Sequence, residues 1–201
     1  MRSLPRTILL LAAALTITIT ATAHAQNAEL AITYDVERAK ASNTACGCFW
    51  LNGATLEGSM TLYHGLGVVG NFTGETGSVP ASSGSGGSSV GLTQFNYLAG
   101  PRYTFAAKKL PAHPLGFVDV LVGGAHATNG VFPATGGSTS TANSIAVQAG
   151  AGLDLIFSRG LGIRVAELDY VHTALPNNAS NSQNNFRVAF GLVYKFGKKK
   201  K

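Results

Sequence analysis

The chain has 201 residues, the size of one domain, with 45% hydrophobic residues, a positive mean hydropathy and a formal net charge of +6. That charge is terminal: leaving out Arg2 and Arg6 gives +4, and leaving out Lys198 to Lys201 as well gives 0, so the body has no basic face for nucleic acid. Beyond the first 25 residues no apolar run is long enough for a spanning helix, which excludes a helical membrane protein. It leaves open a membrane barrel, whose apolar residues recur at every second position.

In chain order, the first segment reads as a removable leader. Arg2 and Arg6 precede an apolar run beginning at Ile8, and Ala23-His24-Ala25 is an A-x-A cleavage site, so residues 1–25 are expected to be a signal peptide. The next segments are strands. Period-two alternation, broken by clusters of Gly, Ser, Asn, Thr and Pro, predicts strands near 28–39, 50–63, 66–74, 93–105, 115–127, 144–157, 161–173 and 185–196. The connectors alternate in length. His64-Gly65, Ala106 to Pro114 and Ser158 to Gly160 are short, whereas 40–49, 75–92, 128–143 and 174–184 are longer and rich in small polar residues. The stretch "SVPASSGSGGSS" has the composition of a flexible linker. This pattern predicts an eight-stranded antiparallel up-and-down transmembrane β-barrel over residues 26–197, with short periplasmic turns and long extracellular loops. A Lys tail, 198–201, follows it.

The last strand is the cleanest. Phe186, Val188, Phe190, Leu192, Tyr194 and Phe196 share one face, and Asn185, Arg187, Ala189, Gly191, Val193 and Lys195 the other. Eight of the nine acidic residues fall inside predicted strands. With the richer apolar face turned outward, Asp35, Glu37, Glu57, Asp119 and Asp154 point inward, as do Arg102, Arg164, Arg187 and Lys195. A soluble ligand-carrying barrel would show the reverse, with charges outside and an apolar lumen. Strict alternation in "GIRVAELDYV" would turn Glu167 and Asp169 outward, so a bulge at Ala166-Glu167 is expected to bring both into the lumenal polar network. Eight strands leave room only for side chains, and Gln148, Tyr63, Arg102, Arg164 and Arg187 are available to fill it. Gly100, Gly123, Gly150 and Gly152 thin part of the wall.

The motifs "LGVVGNF", "YLAGPRYTF", "VLVGGAHA", "AGAGLDL", "IRVAELDY" and "NNFRVAFGLVYKF" resemble the OmpA/OmpX-like outer-membrane β-barrel family, in its small stand-alone form, over most of residues 28–197. The resemblance implies residence in the cell outer membrane and contact with outer-membrane lipids. It also implies an assembly signal, Gly191, Tyr194 and Phe196, read by the barrel-assembly machinery. The family pattern ends near the terminal Phe, whereas here Gly197 and the lysines follow. Family members serve structural or surface-interaction roles, and the fold alone does not choose among them.

Chemistry has few candidates. His126 and His172 stand near strand ends, with Asp169 close to the second, but "DYVHTAL" offers Thr173 rather than a serine nucleophile, and Ser144 and Ser182 lack a supporting base. Rim residues are the simpler reading of both histidines, and a lipid A-modifying enzyme or a His–His metal pair the weaker ones. Cys46 and Cys48 in an exported chain suggest a short disulfide. No catalysis, cofactor or metal is expected. The expected role is structural or surface interaction by a monomer, with an extracellular ligand on the loops, and a narrow pore or small-solute conduit is the alternative.

Overall fold

The structure is a computed structural model that describes residues 28–40, 48–80, 89–106, 114–177 and 180–196. The expected signal peptide, Cys46 and therefore the Cys46–Cys48 pairing, most of the Gly/Ser-rich stretch, and the Lys tail lie outside these residues. Eight strands follow one another: β1 (Ala28–Lys40), β2 (Cys48–Tyr63), β3 (Leu66–Pro80), β4 (Ser89–Ala106), β5 (Pro114–Ala134), β6 (Gly137–Ile156), β7 (Leu161–Thr173) and β8 (Gln183–Lys195). Each pairs antiparallel with the next, and β1 pairs with β8 from Glu29–Lys195 to Arg38–Phe186, which closes the sheet. A closed sheet has no unpaired edge. The expected up-and-down barrel is the observed one.

Turn chemistry sets one end. His64 and Gly65 both have positive φ, 47° and 89°, as a two-residue type I′ hairpin requires between β2 and β3. A 3-10 turn, Ser158–Gly160, joins β6 to β7 at the same end. The opposite end differs from the sequence reading. Residues 128–143, expected as a loop, mostly continue the β5–β6 hairpin: Thr128 pairs with Thr141 and Ala134 with Gly137 across a turn at Thr135-Gly136. Its inward Phe132 and Ala142 are buried with Ala39, Phe49, Leu51, Leu92, Ala127 and Leu175, an apolar plug that closes this end of the tube. Two apolar residues among many Gly, Ser and Thr are too sparse a signal for a strand, but the plug they join holds the hairpin upright. Residues 75–80 and 89–92 are likewise strand rather than loop.

The β7 carboxylates are accommodated by a bulge. Pairing with β6 steps from Leu153–Ala166 to Asp154–Arg164, and pairing with β8 from Glu167–Ala189 to Arg164–Gly191. Val165 and Ala166 together oppose one residue of β8, which puts the bulge one position earlier than the expected Ala166-Glu167. Leu168 and Tyr170 then stand outward, and Glu167 and Asp169 are buried inside.

Outside, the barrel carries exposed large apolar residues on every strand. They include Leu30, Ile32 and Tyr34 on β1, Leu56 on β2, Phe72 on β3, Val118, Val120 and Val122 on β5, and Phe186, Val188, Phe190 and Leu192 on β8. From Phe186 to Phe196 there are ten steps of ~3.3 Å. At the strand tilt of such barrels, ~40°, they span roughly 25 Å, the height of an outer-membrane apolar band. Leu192, 56% exposed, lies near its middle. Leu192→Arg is therefore expected to weaken folding into lipid vesicles by about 2–4 kcal/mol. The same substitution at exposed Leu62, by the turn, is expected to cost under about 1 kcal/mol, both read from urea-dependent folded fractions.

Candidate functional site: the charged lumen

Alternation on a closed sheet sends every second residue into one narrow tube, and here all nine acidic residues go there. Asp35, Glu37, Glu57, Glu75, Asp119, Asp154, Glu167 and Asp169 are buried, and Glu29 lies at the turn-side mouth. Three buried arginines, Arg102, Arg164 and Arg187, face them. Lys195, placed inward from sequence, is half-buried and pairs across the sheet with Glu29.

The turn-side half is built on two guanidinium groups. Arg102 donates to both oxygens of Glu57 (Nη1–Oε1 2.5 Å, Nη2–Oε2 2.7 Å) and to Asp119 Oδ2 through Nη2 and Nε (2.6 and 2.9 Å). Arg164 donates to Asp154 Oδ1 (2.9 Å) and Glu167 Oε2 (2.8 Å), and lies 3.0 Å from Glu57 Oε1 and 3.5 Å from Glu29 Oε1. Phe117 stands between the arginines, its ring centroid 3.9 Å from Arg102 Cζ and 4.4 Å from Arg164 Cζ. A desolvated guanidinium over an aromatic face gains about 2 kcal/mol. Glu57, Asp119 and Glu167 converge closely enough to hold a metal ion. The nitrogens of Arg102 and Arg164 already occupy the cation's place, so this set is an ion-pair cluster rather than a metal centre.

The other half is built on Arg187. Its Nε donates to Asp169 Oδ2 (3.0 Å), Nη2 to Gln148 Oε1 (2.7 Å) and Nη1 to Thr73 Oγ1 (3.1 Å). Gln148 Nε2 returns to Asp169 Oδ1 at 3.1 Å. Asp35 accepts from Thr33 (2.8 Å) and Thr55 (2.5 Å), and Asn185 Nδ2 donates to Glu37 Oε1 at 2.7 Å. Gly150 and Gly152 do not leave the wall thin. A Cβ on Gly150 would meet Asp169 Oδ1, and one on Gly152 the Phe117 ring, so neighbouring side chains fill that space.

Glu75 and Phe117 are among the lumenal residues that the sequence reading leaves out, and Tyr63 is one it misplaces. Glu75 falls in the segment 75–92 that composition reads as a loop, yet it is on β3 and only 2% exposed. Phe117 shares the parity of Asp119 in "GFVDV", a signal that was available. Tyr63 was set in the lumen but is 71% exposed, because the β2–β3 pairing shifts between Thr61 and Tyr63 and breaks the alternation. Of the three residues expected as an assembly signal, Gly191 is on the inner side against β1, while Tyr194 and Phe196 stack edge to face outside (centroids 4.7 Å).

The histidines stand apart from this network. His126 Nδ1 meets Asn143 Oδ1 at 2.6 Å, and His172 Nδ1 meets Asn184 Oδ1 at 2.7 Å. They sit on β5 and β7 with β6 between, and among the described residues no serine hydroxyl is hydrogen-bonded to either ring.

Removing a shared buried cation orphans its partners. Arg102→Met is expected to lower folding stability by about 3–5 kcal/mol. Adding Glu57→Gln is expected to recover part of that loss, a coupling of ~0.5–3 kcal/mol in a double-mutant cycle. Additive losses would show that the pair does not act as a unit.

No protein-family model matches the chain, and no curated protein does. Solved structures do. Neisserial surface protein A superposes with a TM-score of 0.63 at 12% identity, covering 84% of this chain and 97% of its own. Ail, the attachment invasion locus protein of Yersinia pestis, solved with the heparin analogue sucrose octasulfate, gives 0.53 at 16% identity, covering 85% and 98%. The chain has the fold of the small eight-stranded outer-membrane barrels.

Proposed function

We propose that this chain is an outer-membrane β-barrel with a structural or surface-interaction role, exported by the leader at residues 1–25 and performing no chemistry. One observation carries the reading. The polarity is inverted relative to a water-soluble barrel, with all nine carboxyl groups directed inside and large apolar side chains exposed outside. In water, so large an exposed apolar surface would drive aggregation. Lipid removes that cost, and closure satisfies the backbone groups that hydrocarbon cannot. Aromatic residues stand at both margins of the belt, as interfacial girdles do. Tyr103, Phe105, Phe157, Tyr194 and Phe196 lie at the turn end, and Trp50, Tyr97, Tyr170 and Phe186 at the other.

In this reading Ala28, Phe196 and the β2–β3 and β6–β7 turns lie on the periplasmic side, and the opposite strand ends face outward. The β5–β6 hairpin, with strands of 21 and 20 residues against 13 for β1, β7 and β8, rises farthest. Those segments carry contact with an extracellular ligand. The solved Ail, with a sulfated sugar analogue, is an instance of such a barrel taking a ligand. Gly191, Tyr194 and Phe196 serve the barrel-assembly machinery, and the barrel works as a monomer.

A conduit is the competing role. The arginine clusters and the apolar plug of Phe49, Leu51, Leu92, Phe132 and Leu175 oppose it, because they occupy the tube along its length. The protein is expected in the outer-membrane fraction, with a faster band on unheated gels that disappears on boiling. A mainly soluble periplasmic pool would contradict the membrane role. Planar bilayers are expected to show no steady openings, and regular single-channel steps would restore the conduit. Replacing both His126 and His172 with Ala is expected to leave lipid A acylation unchanged.

A further inference from the structure

We infer that Glu37 and Glu75 form a proton-binding site beneath the apolar plug, holding one proton between their carboxyl groups. Glu37 on β1 and Glu75 on β3 are within hydrogen-bonding reach of each other across β2. Both side chains are almost wholly buried, at 0% and 2% exposure. Glu37 Oε1 accepts from Asn185, but among the described residues Glu37 Oε2 and both oxygens of Glu75 have no donor. A carboxylate has acceptors only, so two of them in contact form a hydrogen bond only when one carries a hydrogen. Like charges this close cannot both ionise, the situation of a carboxyl dyad.

The surroundings cannot neutralise the pair otherwise. Among the described residues the charged groups that face it are Asp35 on β1, Asp169 on β7 and Arg187 on β8, so four carboxyl groups meet one guanidinium. Arg187 gives its three recorded hydrogen bonds to Asp169, Gln148 and Thr73. The residues registered against the pair on β2 and β4, Leu51 opposite Glu37 and Gln94 opposite Glu75, are uncharged. A calcium ion wants six to eight oxygen ligands, and magnesium an octahedron. Two carboxylates, one already engaged by Asn185, do not supply either, and the plug containing Leu51 covers this end. A proton needs no such shell.

The sign of the pH dependence follows. The folded barrel carries one more proton on this pair than the unfolded chain does above the ordinary glutamate range. Stability therefore falls as pH rises, by up to about tenfold in the folded-to-unfolded ratio per pH unit. The loss begins near pH 5 and continues until the pair releases its proton. Glu75→Gln supplies an amide donor in the same shape and removes that proton.

The test compares the full barrel with its Glu75→Gln and Glu37→Gln variants, refolded into phosphatidylcholine vesicles. Urea unfolding is followed between about pH 5 and pH 9, a window set by glutamate's ordinary ionisation. Wild-type stability is expected to fall with pH more steeply than that of either variant. Infrared spectra at neutral pH are expected to show a protonated carboxyl C=O band that weakens in both variants. Identical slopes in wild type and variants would overturn the site. So would stability that follows added Na⁺ or Ca²⁺ at fixed pH in wild type alone. Should neither variant fold, a wild-type spectrum with no protonated carboxyl band overturns it and a band present supports it. Failure here leaves the membrane reading untouched, since that rests on which way the carboxyl and apolar side chains point and not on their protonation.

Discussion

Closure of the sheet between β1 and β8 is the constraint on which the rest depends. Once eight strands form a ring, the interior is fixed at a width that side chains can just fill. Whatever the sequence assigns to inward positions must then neutralise and hydrogen-bond itself within that width. The chain assigns nine carboxyl groups and three arginines to it. Arg102, Arg164 and Arg187 become hubs because each guanidinium has five donors in a fixed fork, enough to serve two or more carboxylates at once. Lysine, with a compact ammonium, would not span Glu57 and Asp119 together.

The lumen is layered as a consequence. The arginine–carboxylate cluster with Phe117 occupies the turn end, and the Arg187–Asp169–Gln148 network the middle. The Glu37–Glu75 pair and then the apolar plug lie toward the long connections. Buried ion pairs are weak contributors to net stability compared with apolar packing of the same volume. Their effect here is on specificity. A one-residue slip of any strand would send its carboxylates outward and its aromatic residues in, so the charges fix the register. The β7 bulge is the visible case: Val165 and Ala166 together span one position of β8, and Glu167 and Asp169 stay inside.

Much of this is written in the sequence because a barrel strand repeats every two residues, and β8 shows it without interruption. The carboxylates of "ELDY" were enough to require a bulge, since alternation and burial of charge conflicted there. Glu75 was hidden for a physical reason. It sits in "TGETGSV", where small residues on both sides carry no period, and only its partners on β2 and β4 make that segment a strand. The upper β5–β6 hairpin escaped notice likewise, its strand character coming from Phe132 and Ala142 in a plug assembled from five strands and the connection after β7. Which arginine meets which carboxylate is set by the stagger of the ring, a property of the closed sheet and not of any one strand. Tyr63 shows the limit of parity: one register shift near the turn reversed its side.

The central claim is that lipid covers the outside and protein polarity fills the inside. Methyl-labelled protein in lipid nanodiscs, read by NMR cross-relaxation with acyl-chain protons, tests it directly. Leu30, Val120, Val188 and Leu192 are expected to show strong contacts with lipid methylene protons, while lumenal Leu121, Val171 and Val193 show none. Acyl-chain contacts to the second group, or their absence from the first, would contradict the account.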